Sequence, residues 1–148
     1  MRRSIPLLAA LCTLPLTAAL AAGAPSASTA MSSSMGSTDV NKEISTALTH
    51  AQMAAASGDV KMVQQHMHHV VNCLVGDKSP DFDAAEENPC KGMGTGAMND
   101  VDSKSKQHKY LDKALSEAKE AFKKKDAKGA QSEAKEAIKD LQDAQKKS

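Results

Sequence analysis

The sequence predicts an all-α protein, a four-helix bundle built from two tandem αα-hairpins joined by a long disulfide-closed loop. Three observations carry this. Four segments place apolar residues at i, i+4, i+7 and i+11, the stripe of an amphipathic helix. The two hairpin segments match each other without a gap at a shift of 67 positions. Between them lies one long stretch with no period, bracketed by Cys73 and Cys90. A lone hairpin cannot bury its stripe, two can do so as a bundle, and a solenoid needs at least three units.

The N-terminus precedes the fold. Met1-Arg2-Arg3 is a charged n-region, Ile5 to Leu20 is apolar, and Ala19-Leu20-Ala21 and Ala21-Ala22-Gly23 are small-x-small cleavage sites. Residues 1–23 are therefore expected to be a secretory signal peptide. The apolar stretch is short and broken by Pro6 and Pro15, which argues against a membrane anchor. Its removal takes Arg2, Arg3 and Cys12, and the net charge moves from +1 to −1. A periplasmic or secreted location follows. In that oxidising setting the remaining cysteines are expected to pair. The Cys73–Cys90 bond closes a loop of about 17 residues, worth roughly 3 kcal/mol in the chain-entropy account.

Residues 24–38, rich in Ser, Ala, Thr and Gly, read as a flexible linker. The bundle then occupies 39–148, with a hairpin over 39–75, a loop over 76–103 and a hairpin over 104–146. The first helix runs from about Asp39 to Ala56, with Ile44, Leu48, Ala51 and Ala55 inward. Ser57-Gly58-Asp59 is a stop followed by an N-cap. The second runs from about Val60 to Val75, with Val63, Met67, Val70 and Leu74 inward. Gly76 to Ser103 contains Pro80, Pro89 and four glycines, so it reads as loop. The third helix, about Lys104 to Lys125, turns Leu111, Leu115, Ala118 and Phe122 inward. Asp126 caps the fourth, about Ala127 to Lys146, whose inward residues are Ala130, Ala134, Ala137 and Leu141.

The 67-residue shift lays Ala47–Leu74 on Ala114–Leu141. Ala47, Leu48, Ala51, Ala54, Asp59, Lys61, Gln64 and Leu74 meet identical residues, mostly at core and cap positions. The halves differ in charge. Residues 39–103 carry 4 Lys against 10 acids, and residues 104–148 carry 13 Lys against 8. Two solvated faces that attract one another when the hairpins pack are the simplest consequence.

Composition excludes several function classes. Aromatic residues are 2% of the chain, too few to stack bases, and 19 basic against 18 acidic residues make no nucleic-acid footprint. No apolar run beyond the N-terminus is long enough to span a membrane. No CxxCH is present for covalent haem. Gly92-Met93-Gly94-Thr95-Gly96 lacks the strand and the Lys-Ser/Thr pair of a phosphate loop. The acids Asp81, Asp83, Glu86 and Glu87 lack calcium-loop spacing. No nucleophile–base set occurs, so an enzyme is not expected.

Histidine is the chemical signal. His66 and His69 are i, i+3 on one flank of the second helix, with Met62 and Cys73 extending the stripe. His50 lies eight residues before Gly58 and His66 eight after it, so an antiparallel hairpin brings them level. Met53 sits one turn nearer the hairpin turn. His50, His66 and His69, with Met53 or Met62, are thus candidate metal ligands. Imidazole with thioether suits copper, and imidazole alone suits zinc, nickel or Cu(II). His68 points about 100° away from His69 and belongs to another surface. Under the repeat shift, His50, His66 and His69 fall on Glu117, Glu133 and Glu136.

Ala47-Leu48-Thr49-His50-Ala51 with His66 and His69, and Ala114-Leu115-Ser116-Glu117-Ala118 with Glu133-Ala134-Lys135-Glu136-Ala137, together resemble the small metal-binding protein family. That resemblance, over roughly 39–75 and 104–147, implies a periplasmic four-helix bundle that binds divalent metals through many histidines. The chain departs from the pattern in two ways. Glu and Lys stand where the second hairpin would carry His, and a disulfide loop is inserted. Lower metal capacity is the implication. The expected function is to bind or buffer a divalent or copper ion. A ligand-free structural or interaction bundle of the cell envelope is the alternative.

Overall fold

A computed structural model of the protein describes residues 39–147. The signal peptide and linker expected over 1–23 and 24–38 lie outside the described residues. The described chain is all-helical: α1 Val40–Ala56, α2 Val60–Val75, α3 Ala97–Asp100, α4 Lys106–Lys123 and α5 Ala127–Gln145. No described helix is long and apolar enough to cross a membrane.

Each long helix begins on a side-chain cap. The Asp39 carboxylate accepts from the Lys42 N–H, Asp59 from Lys61 and Met62, Ser105 from His108, and Asp126 from Gly129. Each cap satisfies N–H groups that the helix leaves without partners. Helix α2 ends at Gly76, whose φ of 72° is a left-handed conformation that suits glycine. A Cβ there would overlap the Thr95 carbonyl, and one at Gly96 would overlap the α2 terminus. The two glycines let the returning loop lie against the end of α2.

Helix α1 packs on α2 and α5, and α4 packs on α5 and α2. Helix α2 also touches α5, so it meets all three other long helices and supplies the bulky core residues Val63, Met67, Val70 and Leu74. The other three contribute mainly alanine: Ala47, Ala51 and Ala54, then Ala114, Ala118 and Ala121, then Ala130, Ala134 and Ala137. Alanine allows close helix approach but little apolar area per residue, so polar clamps and the cross-link matter more here than in a large-residue core.

The inward stripes of α2 and α5 are the expected ones, all fully buried. On α1 and α4 the buried line is rotated. Leu48, Ala55, Leu115 and Phe122 are only partly buried, while Ala47, Ala54, Ala114 and Ala121 occupy the centre. Small residues take the closest approach and larger ones wedge beside it. In the segment expected to be loop, Ala97–Asp100 forms the single turn α3.

Two glutamines tie α1 and α2 to α4 and α5. The Gln64 amide donates to the carbonyls of Phe122 and Lys124, both at 3.1 Å, closing the end of α4. The Gln131 amide donates to the Ser57 carbonyl, closing the end of α1. Ser57 and Lys124 are 67 positions apart, as are the glutamines. Gln64→Ala and Gln131→Ala are each expected to cost about 1 kcal/mol in urea unfolding, the net worth of such a bond. A loss within error of zero for both would show that water replaces the amides without cost.

Charge attraction between the halves is modest. Lys119 reaches Asp81 at 2.6 Å, whereas Lys123, Lys124, Lys139 and Lys146 pair with acids of their own half of the chain. Exposed pairs of this kind are each worth little.

Candidate metal centre

The Cys73–Cys90 disulfide is present, with the Cα atoms 5.1 Å apart. Because Cys73 lies one helical turn beyond His69, the loop it closes folds back over the histidine-bearing face of α2. Asn72 fixes that fold. Its amide donates to the carbonyls of Asp83 and Glu87, each at 3.0 Å, and its oxygen accepts from the Asp83 N–H at 2.9 Å.

Under this loop the three predicted histidines converge. His50 Nδ1 lies 3.5 Å from His66 Nδ1 and 3.2 Å from His69 Nδ1. One ligand atom from each ring lies within 4.8 Å of the other two, and no other described group of three or more His, Cys, Asp or Glu side chains converges in this way. Four donors placed tetrahedrally about 2.05 Å from a zinc-like ion are about 3.3 Å apart. Two of the three separations already match that spacing. The third pair of ligand atoms lies within 4.8 Å.

His50 and His66 are biased toward the neutral form. Burial pushes the His50 pKa below the usual imidazole value, and a positive charge on His69 or His66 would push it the same way, while Glu87 opposes. Burial also lowers His66, again with His69 in the same direction. Neutral imidazole is the form that binds metal.

Among the described residues, Met53 and Met62 are the two large apolar side chains left exposed, at 46% and 45%. They stand on the turn-proximal part of the hairpin, within one or two turns of His50 and His66. His68 faces elsewhere, as its phase requires. It stacks on Phe122 with centroids 4.0 Å apart, and its Nδ1 lies 3.1 Å from Asp83. His108 lies 3.5 Å from Asp112 on α4.

The acidic loop residues are the site neighbours that sequence reasoning missed. Glu86 Oε2 lies 3.7 Å from His69 Nε2, and the charge of Glu87 is felt at His50. The available signal was the disulfide spacing, which returns the loop to α2 one turn from His69. Glu117 and Glu133, onto which the 67-position shift carries His50 and His66, are occupied otherwise. Glu117, when protonated, donates to Glu133, and Lys124 neutralises Glu133 at 2.7 Å. The glycine-rich run 92–96 holds no anion-binding geometry, since Gly94 packs against the Glu43 and Asp100 carboxylates.

No protein-family model, no curated protein and no solved structure matches the chain.

Proposed function

We propose that this chain is an exported, non-enzymatic helical protein that binds or buffers a transition-metal ion through His50, His66 and His69, with copper as the first candidate and zinc or nickel as the others. The observation that carries the reading is the convergence of three imidazoles from two helices, with His50 Nδ1 at near-ligand spacing from the Nδ1 of both others. Copper leads because Met53 and Met62 offer thioethers on the same hairpin, and soft ligands beside imidazole suit Cu(I) as well as Cu(II). The resemblance to the small metal-binding protein family points the same way. In this reading the four long helices are a bundle of two tandem hairpins. The equivalent Gln64 and Gln131 bonds support an internal repeat with a pseudo-two-fold relation. The pairing of Cys73 with Cys90 supports an oxidising, periplasmic or secreted location.

The test is a calorimetric titration of the disulfide-intact protein with Cu(II), Ni(II) and Zn(II), beside His50→Ala/His66→Ala/His69→Ala. Sub-micromolar binding that the triple variant loses is the expected result, and the tightest metal indicates the role. Parent binding no tighter than that of the variant would leave the ligand-free structural bundle as the better account. The lowered His50 and His66 pKa values also predict that binding at neutral pH releases few protons, read as heats independent of the buffer's ionisation enthalpy.

A further inference from the structure

His50 meets both His66 and His69 Nδ1 to Nδ1, and an ion held there dictates what the far nitrogens must do. A ring that gives Nδ1 to a metal carries its proton on Nε2 and becomes a donor there. For His69 this has a consequence. The side chain is 6% exposed, and its Nε2 is buried without a hydrogen-bond partner. The group facing that nitrogen is the Glu86 carboxylate, with Oε2 at 3.7 Å. That separation exceeds a hydrogen bond by about half an ångström. A small rotation of His69 toward an ion, or of Glu86 toward His69, closes it.

Glu86 is held where it can do this. It lies between Asp83 and Glu87, the two residues whose backbone Asn72 clamps. The Gln65 amide donates to Glu86 Oε2 at 3.3 Å, steering the carboxylate along the α2 surface. The Cys73–Cys90 bond fixes the far end of the same loop.

We infer that Glu86 is the positioning residue of the metal centre: its carboxylate accepts the Nε2 proton of His69, fixes the tautomer that leaves Nδ1 free for the ion, and depends for its place on the loop closed by Cys73–Cys90. The inference rests on the metal reading of the trio and adds to it. It assigns the inserted loop a role in metal affinity, and it explains why a buried imidazole nitrogen faces a carboxylate without bonding it.

Zinc is the probe, since it has no redox chemistry to confuse the reading. Affinities for Zn(II) are measured on the full, disulfide-intact chain by competition with a chromophoric chelator, for the parent, Glu86→Gln, Glu86→Asp and the triple histidine variant. Glu86→Gln is expected to bind about 10–100-fold more weakly, as for other outer carboxylates, and Glu86→Asp to recover part of the loss. A second readout is the 15N spectrum of the zinc-loaded histidines. His69 should show an Nε2–H tautomer with a slowly exchanging proton in the parent and a rapidly exchanging one in Glu86→Gln. A purely structural role for Glu86 would not change that proton. Parent binding that the triple variant loses but Glu86→Gln retains in full would overturn the inference and leave the metal site standing. A parent that does not bind zinc, copper or nickel would remove both. The loop is tested with Cys73→Ser/Cys90→Ser, which should weaken zinc binding in the parent and add little in Glu86→Gln. Equal weakening in both backgrounds would overturn the loop's part.

Discussion

Glu43→Gln is expected to stabilise the protein by roughly 3 kcal/mol above neutral pH and to leave it almost unchanged below pH about 4.5. Glu43 is a core residue of α1, 1% exposed, on the helix that otherwise buries Ile44 and alanines. One carboxyl oxygen accepts from the Gly96 N–H at 3.1 Å, while the other is buried with no donor aimed at it. Its neighbour is Asp100, whose oxygens already hold the Thr95 N–H and hydroxyl at 2.8 and 2.7 Å. Two carboxylates cannot bond each other, but a protonated Glu43 can donate to Asp100. Burial is the main cause that raises the Glu43 pKa from the ordinary 4.5 to about 7. The Asp100 and Asp39 charges add to it, and the Gly96 bond opposes.

The sign follows from linkage. Below 4.5 the group is protonated in both states and contributes nothing. Between 4.5 and about 7 the unfolded chain gives up its proton while the native state keeps it, so stability falls as pH rises. A displacement of that size corresponds to roughly 3 kcal/mol, complete above the native pKa. Glutamine mimics the protonated acid, keeping the acceptor for Gly96 and offering N–H to Asp100. His50 and His66 act in the opposite sense. Their pKa values are lowered on folding, so they reduce stability as pH falls below the ordinary imidazole value of 6.5. Urea unfolding across this range therefore separates the two. Glu43→Gln should abolish the loss on the alkaline side and retain the loss on the acid side. An unchanged slope between pH 4.5 and 7 would show that Glu43 is ionised in the native protein.

How much of this was legible in the sequence depends on periodicity. Helices α2 and α5 carried regular stripes, and Val63, Met67, Val70 and Leu74, like Ala130, Ala134, Ala137 and Leu141, are buried as their spacing requires. On α1 and α4 Ile44, Ala51, Leu111 and Ala118 are buried as their spacing requires, but Leu48 and Leu115 lie at the edge of the interface. In an alanine-rich packing the closest approach selects the smallest side chain, and a hydropathy stripe does not weigh size. The histidine trio was legible because a hairpin turning at Gly58 fixes the levels of its two strands of side chains. Glu86, Glu43 and Asp100 were not. Each acquires its role from where residues 76–103 cross the helices, and a segment without a period carries no register to read.

Asn72→Ala is expected to cost about 3 kcal/mol, as much as losing the disulfide. Asn72 is fully buried and uses both amide protons and its oxygen on the loop backbone. Alanine leaves the Asp83 N–H and the Glu87 carbonyl facing an apolar methyl, while the Asp83 carbonyl keeps its bond from the Glu86 N–H at 3.3 Å. Each unsatisfied group costs about 1–3 kcal/mol, and water entering the gap recovers part of the total. Asn72→Asp should be worse still. It keeps the acceptor for the Asp83 N–H, but it replaces the amide nitrogen and both its protons by one oxygen facing two carbonyls, and it buries a charge. The two anchors of the loop also share one task, so their losses should not add. In a double-mutant cycle with Cys73→Ser/Cys90→Ser, the second anchor removed should cost less than it does alone, because a loop freed at one end has already lost part of its ordered backbone. Strict additivity would mean that the anchors hold separate structures. Zinc affinity should follow the same cycle, since His69 meets Glu86 only while the segment between Asp83 and Glu87 lies on α2. A loss of stability well under 1 kcal/mol for Asn72→Ala, with zinc affinity unchanged, would show that the loop keeps its place by the disulfide alone.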